Sequence, residues 1–70
     1  MLWVIIGESS HEIISCNIGF ADGKHAIWVE RPNGKSLKIS EGERKADVMV
    51  IKEAIDYAIQ HGHKTLNLNN

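Results

Sequence analysis

"EIISCNIGFADGKHAIWVE", residues 12–30, decides how this chain folds. In its first half Ile14, Cys16, Ile18 and Phe20 recur at every second position, with Ser15, Asn17 and Gly19 between them. That alternation is the pattern of a half-buried strand. In its second half and one residue beyond, "HAIWVER" (25–31) reads as the next strand. Between the halves stands Asp22-Gly23, a pair that tolerates φ > 0 at both positions and so closes a tight hairpin. Working outward, "LWVII" (residues 2–6) reads as a short strand that stops at Gly7, and "PNGK" (32–35) reads as a second hairpin turn. "KSLKIS" (35–40) then supplies a fourth strand with Leu37 and Ile39 facing inward.

After residue 40 the period changes. "SEGE" (40–43) fits a capping box, with Ser40 accepting from first-turn amides and Glu43 reaching back to the Ser40 N–H. From 43 to 61, a turn of about 100° per residue gathers Val48, Ile51, Ala54, Ile55, Ala58 and Ile59 into one apolar face. Lys52, Glu53, Asp56 and Gln60 fall opposite. Gly62 suits an αL helix end, and His61, His63 and Lys64 complement the negative end of the dipole. "KTLNLNN" ends the sequence with Leu66 and Leu68 alternating, a short last strand that, if it joins the same sheet, returns parallel to the fourth, with the first strand pairing either with the second or across the sheet with the last. The expected fold is one α+β domain over residues 1–70, a two-layer sandwich in the order β-β-β-β-α-(β). A curled, mainly antiparallel sheet of four or five strands carries one amphipathic helix across one face. The other face, carrying Ile13 and part of "AIWV", is expected to stay partly open around Trp28.

Size and charge narrow the function. Seventy residues build one modest core, and chains this short often rely on a disulfide, a metal or a partner. Cys16 is the only cysteine, so no disulfide forms within the chain, and its apolar setting suggests an inert buried thiol. Association is the supplement that remains. Eight Lys or Arg against nine Asp or Glu give a net charge of −1, whereas a chain gripping several phosphates shows a basic excess. The longest purely apolar run, "LWVII", is far short of the roughly 20 residues of a membrane span. The reading is therefore a soluble cytoplasmic protein with no membrane partner.

Three local patterns suggest chemistry. "GESSH" (7–11) partly matches the G-x-S-x-G turn of serine hydrolases, with Gly7 and Ser9 in place and His11 where the second glycine belongs. Because a strand rather than a helix follows, no helix N-terminus supplies an oxyanion site, and the stretch reads as a polar reversal. "HGH" (61–63) has no second His or Cys cluster to complete a zinc site, so no metal and no cofactor is expected. Lys24, Arg31, Lys35, Lys38, Arg44 and Lys45 concentrate in the middle of the chain, interleaved with Asp22, Glu30, Glu41 and Glu43. With Trp28, the cations Arg31, Lys35 and Lys38 define an alternative reading as a single-stranded nucleic-acid module using the sheet face.

The element order is similar to the opening of an RNase H-like fold, where antiparallel strands lead into a helix and then a parallel strand. The resemblance covers most of the chain and implies metal-holding carboxylates on the first strand, the helix and the following strand. Glu8 and Asp47 or Glu53 match the first two places, but the last strand offers Asn67, Asn69 and Asn70. The resemblance thus implies an inactive relative or fragment. On the helix, Met49 and Tyr57 lie off the apolar stripe, four residues either side of Glu53. Together with the open sheet face they point to a non-catalytic interaction or regulatory module, acting as a homodimer or by binding and modulating a larger protein. The residues expected to carry binding are Trp3, Trp28, Met49, Glu53 and Tyr57.

Overall fold

A computed structural model describes residues 1–68. The hairpin read from residues 12–30 is present: β3 (Ser15–Ala21) pairs antiparallel with β4 (Lys24–Glu30). Asp22 and Gly23 turn the chain with φ of 54° and 77°, as a two-residue turn with two left-handed positions requires. β4 pairs in turn with β5 (Ser36–Gly42), completing a three-stranded sheet in the order β3-β4-β5.

The described residues are α+β with six strands in two three-stranded sheets, not a single sheet of four or five. β1 (Leu2–Ile6) and β2 (Ser9–Ile13) form the additional hairpin, and β6 (Thr65–Asn67) pairs parallel with β1 on its other side. The order is β-β-β-β-β-α-β because residues 9–21 do not make one strand. The break falls at Ile14, whose N–H donates to the Glu30 carbonyl although the ladder pairs Glu30 with Ser15. Two residues of this strand thus oppose one of β4, which is the arrangement of a β-bulge. The bulge also shifts the alternation: Ile13 is fully buried, Ile14 is exposed and Cys16 is buried again. Ile14 was expected inside and Ile13 on the open face; the extra residue reverses them.

α1 spans Lys45–Gln60 and starts later than the capping box predicts. Ser40 pairs with Ile27 and Gly42 with His25, so cross-strand bonding holds the "SEGE" segment extended. Arg44 becomes the N-cap residue, with no side-chain cap. At the other end the expectation holds. Gly62 has φ 69°, its N–H donates to the Ile59 carbonyl, and the His63 N–H donates to the Ala58 carbonyl. This is the Schellman pattern.

Val48, Ile55 and Ala58 of the helix are buried with Leu2, Val4, Ile13, Cys16, Ile27 and Val29, which joins the two sheets in one core. Leu37 and Ile39 pack against this core as expected, although a bulge opposite Ile27 and Trp28 lies between them. Ile59, read as part of the apolar face, is exposed, while Lys52 and Asp56 lie at the flank rather than opposite. No helix among the described residues is long and apolar enough to cross a membrane.

Candidate functional site

The residues expected to bind fall on two surfaces that the fold keeps apart. Leu2 and Val4 of β1 and Ile27 and Val29 of β4 point into the core, so Trp3 and Trp28, of opposite parity, point to the face away from the helix. Met49, Glu53 and Tyr57 are spaced four residues apart along α1, away from Val48, Ile55 and Ala58; Glu53 and Tyr57 are exposed and Met49 is half-buried.

The two tryptophans sit differently. Trp3 opposes Glu12 on β2 and is 43% exposed. It lines a polar hollow of about 270 Å³ with Ser10, His11, Glu12 and Arg31. The hollow lies where β4 runs on into the 31–35 turn, beside the edge of β2 that pairs with no strand among the described residues. Trp28 is half-buried instead. Its ring approaches within 3.4 Å of where a Cβ on Gly19 would stand, and Ala26, the cross-strand neighbour of Gly19, is fully buried. A residue without a side chain gives the ring its resting place, which sequence alternation alone does not reveal.

Of the cations assigned to a nucleic-acid surface, Arg31 faces Trp3 rather than Trp28, and Lys38 is bonded to Glu41 at 3.1 Å. Lys35 is exposed in the turn, where its N–H donates to the Asn33 side chain. Lys38 stands directly opposite Trp28 across the β4–β5 ladder, whereas Arg31 lies at the Trp3 hollow and Lys35 in the turn.

On the helix, Glu53 has no ion pair among the described residues, whereas Lys52 holds Asp56 at 2.6 Å. Tyr57 is 56% exposed and stacks on His61, with ring centroids 3.9 Å apart. His63 meets the same ring edge-on at 5.8 Å. His61 Nδ1 also lies 2.9 Å from the Tyr57 carbonyl, a bond that requires the proton on Nδ1. The sequence places these histidines at the helix end and in an incomplete zinc motif; their contact with the Tyr57 ring is an additional role. The i, i+4 spacing of Tyr57 and His61 carries the signal for stacking, and the turn at Gly62 brings His63 back to the ring.

Other chemistry-bearing groups stay dispersed. Gly7 and Glu8 form the turn between β1 and β2, with Gly7 at φ 59°, and Ser9 and His11 follow as strand residues opposite Ile6 and Val4. Glu8 is exposed just past β1, and Asp47, at the start of α1, is bonded to Arg44 at 2.7 Å. Asn69 and Asn70 lie outside the described residues. Among the described residues no three of His, Cys, Asp and Glu gather closely enough to hold a metal ion. Burial pushes the Cys16 thiol up to about 11, with Asp56 adding to the effect and Lys52 opposing it. Such a thiol is protonated at neutral pH and a poor nucleophile. Compared with the models of known protein families, with curated proteins and with solved structures, the chain matches none.

Proposed function

We propose that this protein is a small non-catalytic interaction module of the cytoplasm, binding either a second copy of itself or a larger protein whose activity it modulates. The observation that supports this reading is the exposure of large side chains on its one helix. Val50 is 68% and Tyr57 56% exposed, on either side of Glu53, which has no ion pair among the described residues. An apolar group, an aromatic ring and a carboxylate side by side are the ingredients of a protein-binding patch, where aromatic residues carry much of the affinity. The RNase H-like alternative draws support only from the parallel return of β6 to β1 after the helix.

Affinity purification from the native host, followed by mass spectrometry and paired with sedimentation of the pure chain, tests the reading. Tyr57→Ala is expected to reduce the recovered partner or the self-association about tenfold or more while the circular dichroism spectrum stays unchanged. A chain that stays monomeric at high concentration and recovers no protein overturns it. So does an oligonucleotide that quenches tryptophan fluorescence and is released steeply by salt, which favours the nucleic-acid reading.

A further inference from the structure

The seven residues of β3 bond to β4 on one side and, among the described residues, to no strand on the other. A sheet edge of this kind presents a row of backbone donors and acceptors that another strand can complete, so folded proteins usually protect it with charges, proline or a bulge. β5, at the other edge of the same sheet, is protected: Lys38 stands on it and a bulge interrupts its register opposite Ile27 and Trp28. β3 is not. Ile13 to Ala21 form nine consecutive residues with no charge and no proline.

The backbone geometry fixes which groups face outward. In a two-residue hairpin the closing pair, here Ala21 and Lys24, is hydrogen-bonded, and bonding alternates from there. Cys16, Ile18 and Phe20 therefore turn their N–H and C=O groups to the open edge. Beside that edge runs one flank of α1. Lys45 lies near Ile18 and Phe20 at one end, Lys52 and Asp56 lie near Cys16, and Ile59 lies near Ile14 at the other end. Phe20 is 69%, Ile14 41% and Ile59 37% exposed along this edge, with a separate hollow at each end, one lined by Ile18, Phe20 and Lys45 and the other by Ile14 and Ile59.

We propose that a second copy of this chain completes this edge, by antiparallel pairing of β3 with its own counterpart about a two-fold axis at Ile18. The inference rests on the reading of the protein as an interaction module and names its partner. The register is self-complementary. Ile18 meets Ile18, Cys16 meets Phe20 and Asn17 meets Gly19, so every outward backbone pair closes and no charge meets a like charge. On the helix flank beside the added strand, Lys52 and Asp56 already neutralise each other. The exposed Phe20 ring of each copy is then covered beside the other's Cys16. Two three-stranded sheets become one of six, with the helices antiparallel on the same side.

Sedimentation equilibrium and amide hydrogen exchange over a concentration series test this. The expected result is a dimer in which the Cys16, Ile18 and Phe20 amides exchange about tenfold or more slowly than in the dilute monomer, while β5 amides do not change. Ile18→Lys places like charges across the axis, and Phe20→Pro removes one outward N–H at an exposed position. Each is expected to weaken association about tenfold or more. Because Ile18 also packs on the core, Phe20→Pro is the variant that decides if Ile18→Lys fails to fold. A chain monomeric at every concentration, or a dimer whose β3 amides stay fast, overturns the assignment. A dimer lost on Val50→Lys but kept in Phe20→Pro overturns it too, while leaving the interaction-module reading in place. Protection of β3 only by a strand of a different purified protein also refutes self-pairing.

Discussion

The two sheets are built by different rules. In β3-β4-β5 each strand pairs with the next in sequence over most of its length, and each reversal has its own glycine, Gly23 at φ 77° and Gly34 at φ 83°. In β2-β1-β6 the third strand comes from the far end of the chain, so that Trp3 pairs with Thr65 and Ile5 with Asn67. Local pairings close small loops, whereas the parallel pairing must wait until the helix has carried the chain back across the core. One sheet is specified by its turns. The other is completed by the docking of α1, which touches β3, β4 and β5 as well as β6.

Ile55, fully buried in the middle of the helix, gives the largest test of this difference. Ile55→Ala is expected to cost about 2–5 kcal/mol in urea unfolding. Amide exchange in β6 should then quicken before exchange in β4. Equal loss at both would break the comparison and make the two sheets one cooperative unit. A matched pair of glycine substitutions gives a smaller effect. Gly23→Ala and Gly62→Ala each force a side chain into a left-handed conformation and are expected to cost about 1 kcal/mol. The first should loosen the β3–β4 ladder and the second the β1–β6 ladder, as read by the same exchange experiment.

Arg44→Ala has the smallest expected effect and shows whether the β5–α1 junction matters to the docking. The Arg44 guanidinium bonded to Asp47 holds that carboxyl below its ordinary range. A depressed carboxylate stabilises the fold above its unfolded pKa and stops doing so as pH falls through the folded one. Removing Arg44 should therefore return the Asp47 titration, followed by NMR, upward to the ordinary value. Wild type and variant should differ in stability only on the neutral side and converge in acid. Both groups are solvent-exposed, so the β6 ladder should not respond.

Features that rest on chemistry within a few residues were legible in the sequence. Asp22-Gly23 announces its turn, Gly62 its helix end, and the 3.6-residue rhythm puts Met49, Glu53 and Tyr57 on the outer side of α1. The capping box at 40–43 was locally just as plausible, yet the ladder that reaches Gly42 outweighs it. At residues 13 and 14 two isoleucines stand together, and nothing in their chemistry says which one turns inward; pairing with Leu2 on one strand and Glu30 on another decides it. The half-burial of Trp28 likewise depends on the empty position of Gly19 on the neighbouring strand, a relation between chains of residues rather than within one.

Ile14 acts as a spacer in the frame of the strand it interrupts. Without it, Ile13 and Cys16 would fall two positions apart, and one straight strand could keep both inside. With it, the chain changes direction while every core-facing side chain before and after remains in phase. The extra residue belongs to neither ladder's alternation, and by standing outside both it lets one stretch of backbone serve two sheets that need not be coplanar.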